Sequence, residues 1–358
     1  MTQERPTYRY AVEHSLVADC TYLAIASPAR LPALADSIPE IERFHLYAIG
    51  RRPRVSIDPS SWSASEDEVS LDFLADWGDG DPARASFSWP NLYGCVPTLE
   101  LNGPQSVAKL VDPIGEVLAE GPASHFMSSL LANASWDDRS DFDANFLDLN
   151  VDYVGKAIGT PDQPRSAVER LANHETLQKI LADSAANAPH LEVWLILLAF
   201  EDYTTVGAMG AWDSTATEEA ESARLQGMYG REAMGLDAVV SVAEGSLIRY
   251  FQPSFNTQLK AHFPKSHHRS IAEPYVRDYS ALGFQMETTV IGCRLKSEVV
   301  EPAFVHGPLF RMTNDADREA FVDYWDDEDA PPGAVLTTFR DRRAESVESA
   351  RQAATPTV

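Results

Sequence analysis

The chain has 358 residues, of which 44% are hydrophobic and 23% charged, which is typical of a soluble globular protein with room for two or three domains. Its net charge of -25 argues against a nucleic-acid-binding protein with the usual basic surface. No stretch approaches the roughly 20 apolar residues that span a bilayer, and the first ten residues lack the apolar core of a signal peptide. Three separated cysteines indicate neither a disulfide framework nor a zinc site. We therefore expect a cytoplasmic protein without a membrane partner.

The first part of the chain is predicted to be rich in strands. Aromatic and β-branched residues in partial alternation predict strands at residues 7–25 and 45–57, and shorter ones at Val69–Phe73, Ala85–Trp89 and Val96–Leu101. Residues 105–133 are predicted to be helical, because apolar side chains recur there at helical spacing. We expect a β-rich or α+β N-terminal domain over residues 1–140. This domain is acidic, and we expect it to supply a contact to a protein partner.

The middle of the chain, residues 141–270, has the clearest pattern. Residues 146–155 predict a strand that ends in a tyrosine and a glycine turn. Ser166 followed by Glu169 forms a capping box, which predicts a helix to about Asp183. A near-continuous apolar run at 191–200 predicts a strand buried on both faces, and an acidic insertion, predicted to be helical, follows at 201–235.

A further helix is predicted between Asp237, which can cap its start, and Pro253, which ends it. Glu244 then lies mid-helix and close to the buried side. A carboxylate in that position is costly unless a cation or a hydrogen-bond partner meets it. Glu244 is therefore either a functional carboxylate or a salt-bridged surface residue.

Three motifs occur in order along this region: YVGKA at Tyr153–Ala157, RLANH at Arg170–His174 and EGSLIRYFQPSFN at Glu244–Asn256. Together they resemble the GIY-YIG nuclease family over roughly residues 142–260. The third motif matches the family pattern E-x-x-L-I-x-x-x-x-P-x-[FY]-N position for position, whereas a lone YVG would carry little weight. The resemblance implies an α/β, or α+β, protein whose GIY-YIG-like domain has a small central antiparallel sheet flanked by helices. A C-terminal extension with a polar tail would occupy residues 271–358.

The resemblance also implies roles for individual residues. Members of the family cut phosphodiester bonds with one divalent cation, Mg²⁺ or Mn²⁺, held by the glutamate, which is Glu244 here. Arg170 matches the arginine that stabilises charge on the phosphate, a role that suits a guanidinium. Tyr153 and His174 match the groups around the attacking water. Each has an ordinary alternative: a strand aromatic for Tyr153, a surface histidine for His174 and an ion pair for Arg170.

A nucleic-acid surface is predicted on the least acidic third of the chain, residues 150–270, with 10 basic and 15 acidic side chains. Solvated surface positions are the alternative for its lysines, and a structural role is the alternative for the family's asparagine. The candidate nucleic-acid-binding residues are Lys156, Arg249, Asn256, Lys260, Lys265 and Arg269.

One feature of the family is missing at its usual place. The family's first motif has a tyrosine, a favoured general base, about ten residues before the second motif. Asp143 stands there beside Phe142, and no tyrosine lies between Asn102 and Asp152. Either another residue (Asp143, Asp148 or His174) is the base, or the domain no longer cuts. We expect a metal-dependent endonuclease that acts on DNA in preference to RNA; the alternative is a catalytically inactive GIY-YIG-like module that binds nucleic acid or protein.

Overall fold

The computed structural model of the protein describes residues 10–31, 44–78, 80–103, 106–133, 144–157, 171, 174–209, 215–229, 234–258 and 269–312. Within these residues the protein has a mixed α+β fold with a large sheet and six α-helices, so the predicted mixed class is confirmed. Among the described helices, none combines the length and the apolarity needed to cross a membrane.

The strands predicted in the first part of the chain are present. Side chains alternate between buried and partly buried positions along the third of them, as expected of a strand with one face on the core. The fourth alternates between exposed and partly buried side chains and pairs with the third alone, so it lies at an edge. The strands are β1 (Val12–Ala26), β2 (Leu46–Ala64), β3 (Glu68–Asp76), β4 (Ala83–Pro90) and β5 (Thr98–Asn102).

The predicted helix at residues 105–133 is wrong over its first half. Residues 107–122 form the antiparallel strands β6 (Val107–Val111) and β7 (Val117–Pro122), and only Ala123–Asn133 is helical (α1). The cause is Gly115, whose φ of 89° closes a turn that few other residues tolerate. The valines on either side of that turn then pair across the two strands.

The central elements follow the predicted order. Strand β8 (Leu149–Lys156) precedes helix α2 (Glu175–Asn187) and strand β9 (Leu191–Met209). Strand β9 continues nine residues into the segment that was predicted to be a helical insertion, and helix α3 (Glu218–Tyr229) occupies a later part of it.

The predicted glutamate helix is α4 (Leu236–Phe251), with Gly235 and not Asp237 at its N-cap. The helix ends at Gln252, which adopts a left-handed φ of 48° directly before Pro253. The remaining elements are α5 (Ser254–Gln258), α6 (Arg269–Val276), β10 (Ala281–Glu287), β11 (Leu295–Lys296), β12 (Val305–His306) and β13 (Leu309–Arg311).

The described strands form a ten-stranded sheet and a separate three-stranded sheet of β5, β6 and β7. The main path of the large sheet runs β11-β8-β2-β9-β1-β10-β12. Strand β2 lies between β8 and β9 and is antiparallel to both. The small central sheet expected from the sequence is thus part of a larger one, and strands from both sides of residue 140 are paired within it.

The two faces of the large sheet bury different side chains, because successive residues of a strand point to opposite faces. On β2, Tyr47 and Ile49 join a cluster with Leu177 and Ile180 of α2. The intervening residues, Leu46 and Ala48, join a larger cluster that contains the apolar side of α4. Helices α2 and α4 therefore cover opposite faces of the same strands.

Candidate active site

Tyrosines from strands β2 and β8 meet on the face of the sheet that α2 covers. In the antiparallel register Tyr47 lies opposite Gly155, and Ile49 lies opposite Tyr153. The centroids of the two tyrosine rings are 6.1 Å apart, and both side chains are buried. The structure thus brings the predicted site residue Tyr153 next to a tyrosine that precedes it by about a hundred residues.

Gly155 makes room for this arrangement. A Cβ atom on Gly155 would lie 2.6 Å from Tyr47 Oη and 2.7 Å from Tyr47 Cζ. It would also lie 2.8 Å from Tyr153 Cε1. All three distances are shorter than ordinary van der Waals contacts, so the ring of Tyr47 can cross strand β8 only where the residue beneath it is glycine.

His174 joins the two tyrosines from the start of α2. It was predicted to lie within a helix, but it is the N-cap residue, with extended backbone angles, and its Nδ1 accepts the backbone N–H of Leu177 at 3.4 Å. Its Nε2 lies 2.9 Å from Tyr47 Oη. The ring centroid of His174 is 5.5 Å from that of each tyrosine.

Arg51 fixes α2 to the two strands below it. Its guanidinium donates to Asp152 of β8 at 2.6 Å and to Asp183 of α2 at 2.9 Å. Burial raises the pKa of Asp152, and the hydrogen bond from Arg51 opposes that rise. For Arg51, burial alone would lower the pKa, but its hydrogen bond and attraction to Asp152 produce a net rise. Arg51 therefore stays charged and holds helix and strands together.

Asn256 occupies the side of β8 opposite to β2. Its Oδ1 accepts the backbone N–H of Val154 at 2.8 Å, and its Nδ2 donates to the carbonyl oxygen of Val154 at 2.9 Å. The amide side chain thus takes the place that a neighbouring strand would take. Asn256 is buried, so in this structure it positions the tyrosine strand, and it does not present an exposed amide to a ligand.

Lys156 connects the end of β8 to the first turns of α4. Its ammonium group donates to Ser241 Oγ at 2.6 Å and forms an ion pair with Asp237. Glu244 lies one turn beyond Ser241, so it projects from the same side of α4 and is partly exposed. Lys156, predicted to bind nucleic acid, thus forms its contacts within the protein, with residues of the helix that carries Glu244.

Two other predicted side chains are held away from the site. Arg249, predicted to bind nucleic acid, is only 4% exposed, and its guanidinium carbon is 5.0 Å from the ring centroid of Phe310. Arg249 lies about 140° around α4 from Glu244, so the two side chains do not belong to one binding surface. Asp148, one of the alternative bases, is buried and accepts two hydrogen bonds from Arg294 at 2.7 and 2.9 Å.

The remaining predicted residues fall outside the part of the chain that the structure describes. Arg170, Lys260, Lys265 and Asp143 lie outside the described residues, as does the side chain of Arg269. Among the described residues, no group of three histidine, cysteine, aspartate or glutamate side chains is arranged to hold a metal ion. A cation bound to Glu244 would therefore take its other ligands from water and substrate, which is common for Mg²⁺.

Tyr47 is the residue that the sequence analysis missed. The sequence around it, LYAIG at Leu46–Gly50, lies within a correctly predicted strand. The sequence predicted that this strand belongs to a separate N-terminal domain, apart from Tyr153. The only signal in the sequence was an aromatic residue in a predicted strand. Its role depends on the pairing of β2 with β8, which lie about a hundred residues apart in the chain.

Searches with the whole chain found no matching protein-family model, no matching curated protein and no matching solved structure.

Proposed function

We propose that the protein is a metal-dependent endonuclease of the GIY-YIG type that hydrolyses phosphodiester bonds in DNA. The observation that carries the proposal is the meeting of Tyr47 with Tyr153 and His174 over Gly155. The sequence resemblance lacked a first-motif tyrosine, and the position of Tyr47 on the strand that pairs with the second motif supports assigning that role to it. The comparable core is then β8, β2 and β9 with α2 and α4, and β3 to β7 and α1 are an insertion between the two tyrosine strands.

The tyrosines supply the proton chemistry in this proposal. After Tyr47 has released its own hydroxyl proton to solvent, its phenolate accepts a proton from the attacking water and returns to the neutral phenol, which is the acid–base role that a positioned side chain can fill. Tyr153, on the neighbouring strand, orients that water; its ring centroid lies 6.1 Å from that of Tyr47. Asn256 keeps the backbone of β8 in place beneath both groups through its two hydrogen bonds to Val154.

Glu244 is the proposed metal ligand, because it is a partly exposed carboxylate on the side of α4 that Lys156 and Ser241 connect to the end of β8. Helix α4 covers the face of the sheet opposite to the tyrosines, so in this proposal the substrate reaches both Glu244 and Tyr47 at the end of β8. A bound Mg²⁺ or Mn²⁺ would polarise a phosphate oxygen as a Lewis acid. Arg170 is proposed to hold the phosphate. Lys260, Lys265 and Arg269, which follow α5 in the chain, are proposed to extend the contact along DNA.

The insertion between the tyrosine strands is proposed to serve a protein partner. Residues 58–148 contain 17 acidic and 3 basic side chains. A surface of that charge repels the DNA backbone, since phosphate contacts need cations. It would keep DNA to the side of the protein that carries α5.

A catalytically inactive binding module is the second candidate, and three observations favour it. The side chains of Tyr47 and Tyr153 are 0% and 5% exposed, so a substrate must displace neighbouring groups to reach them. Lys156 is paired internally, and Arg249 is buried. Both features weaken contact with phosphate, so they disfavour cleavage and, within this candidate, favour a protein over nucleic acid as the ligand.

Cleavage of supercoiled plasmid by the purified protein separates the two candidates. We expect nicking with Mg²⁺ or Mn²⁺, none with EDTA, and loss of nicking in Glu244→Gln, which removes the charge but keeps the side-chain size. Glu301→Gln, at an exposed position, is the matched control and should cut normally. Nicking that survives Glu244→Gln would disprove the metal assignment. A folded protein that cuts nothing but binds DNA in a strongly salt-dependent way would indicate the binding module instead.

A further inference from the structure

The partners of His174 determine which of its nitrogens carries the proton. Nδ1 accepts the backbone N–H of Leu177, so it must present a lone pair. A neutral imidazole has one acceptor nitrogen and one N–H. The proton is therefore on Nε2, the nitrogen that lies 2.9 Å from Tyr47 Oη.

We propose that His174 is a positioning residue that donates its Nε2–H to the oxygen of Tyr47, with the helix cap holding the imidazole in the tautomer that can do so. A hydrogen bond donated to a phenolic oxygen favours its anionic form over its neutral form. The cap of α2 thereby prepares Tyr47 to accept a proton. The direction of the hydrogen bond stands on its own geometry, and its catalytic meaning rests on the proposed nuclease function.

The surrounding contacts keep this geometry rigid. Arg51 connects β2, which carries Tyr47, to Asp183 of α2, which His174 caps. Gly155 leaves the space through which Tyr47 reaches the imidazole. Leu177, whose N–H sets the tautomer, is itself buried in the cluster that contains both tyrosines. Donor and acceptor are thus fixed from three elements, as a preorganised catalytic group requires.

Nitrogen NMR of the metal-free wild-type protein tests the direction of the hydrogen bond without any activity. Long-range ¹H–¹⁵N correlation at neutral pH distinguishes protonated from unprotonated ring nitrogens, and the signals of His174 are identified by their loss in His174→Asn. We expect a protonated Nε2 and an unprotonated Nδ1. A protonated Nδ1, or protons on both nitrogens, would overturn the proposal.

Two complementary variants test what the hydrogen bond does. His174→Asn keeps an acceptor near the position of Nδ1, as a good N-cap residue, but has nothing at Nε2. His174→Gln can place an amide N–H near the position of Nε2 but is a poor cap. We expect His174→Asn to melt close to the wild-type temperature and to cut about tenfold to a hundredfold more slowly, the range expected for loss of one charge-assisted hydrogen bond. We expect His174→Gln to melt lower but to cut faster than His174→Asn.

Wild-type cleavage by a stable His174→Asn protein would overturn the positioning role. If the wild-type protein cuts no substrate, the proposed function fails, while the NMR result still decides how His174 and Tyr47 are bonded.

Discussion

Two tyrosine–histidine pairs lie on opposite faces of the large sheet, and their hydrogen bonds run in opposite directions. On the α2 face, Nε2 of His174 meets the hydroxyl of Tyr47 at 2.9 Å. On the α4 face, Nδ1 of His306 meets the hydroxyl of Tyr250 at 3.3 Å, and Nε2 of His306 lies 2.9 Å from the carbonyl oxygen of Ala303. A carbonyl oxygen only accepts, so Nε2 of His306 is the donor and Nδ1 accepts the hydroxyl proton of Tyr250.

The surroundings of the second pair hold it in its neutral form. His306 is 1% exposed, and burial lowers its pKa to about 4. Burial also raises the pKa of Tyr250. The imidazole of His306 packs edge-on against Phe251 and Tyr250, with ring centroids 5.1 and 5.6 Å apart. This pair is therefore a packing element with no tendency to exchange protons at neutral pH.

The comparison indicates what separates a reactive pair from a structural one built of the same residues. The second nitrogen of His174 meets a backbone donor, and that of His306 meets a backbone acceptor. This difference in the backbone partner decides whether the tyrosine hydroxyl accepts or donates the hydrogen bond to the histidine. The chemistry of each tyrosine thus depends on a backbone group beyond the pair itself.

Gly155→Ala should disrupt the first pair alone. The added methyl group would overlap with Tyr47 Oη and Cζ, so the ring must move away from His174. We expect a loss of cleavage of at least about tenfold and a fall in the free energy of unfolding of about 1–3 kcal/mol, as for other overpacked sites. Steady-state cleavage and chemical denaturation measure the two effects.

Gly307→Ala is the matched control, since Gly307 adjoins His306 of the second pair. A Cβ atom there would meet its nearest neighbour, the carbonyl oxygen of Phe284, at an ordinary 3.8 Å. Cleavage and stability should remain near wild type. Equal effects of the two substitutions would contradict the account of Gly155.

His306→Gln should flatten the acid limb of the stability curve. The pKa of His306 is lower in the folded protein than in the unfolded chain, so the unfolded state binds more protons between about pH 6.5 and pH 4. Its contribution to the free energy of unfolding is constant above that window and falls as the pH drops through it, by on the order of 3 kcal/mol. Urea denaturation at a series of pH values would measure the difference between variant and wild type, and identical slopes would contradict the assigned burial effect.

Local patterns were sufficient for the regular elements and for part of the site. Alternating and continuous apolar runs located β1 to β5, β8 and the start of β9, and helical spacing located α4 with Glu244. The failures had one local and one long-range origin. The turn at Gly115 divides an apolar stretch that has helical spacing but pairs as two strands. Arg249 was assigned to the surface because a sequence does not reveal Phe310 beneath it.

The composition of the site could not be predicted, because it depends on pairing between distant segments. Tyr47 and Tyr153 are neighbours only because β2 and β8 are adjacent in the sheet. The tautomer of His174 depends on where α2 begins, and the capping box at Ser166 had suggested an earlier start. The ion pair of Lys156 could not be predicted either, because its partner, Asp237, lies about eighty residues further along the chain.

The most direct measurement is metal-dependent cleavage by Tyr47→Phe and Tyr250→Phe beside the wild type. Both changes delete one hydroxyl from a tyrosine–histidine pair, and each should cost only about 1 kcal/mol of stability. We predict that Tyr47→Phe cuts at least about a hundredfold more slowly, the usual range for removal of an acid–base group, and that Tyr250→Phe cuts at the wild-type rate. A Tyr47→Phe protein that folds and cuts like the wild type would contradict the assignment of the active site to the first pair.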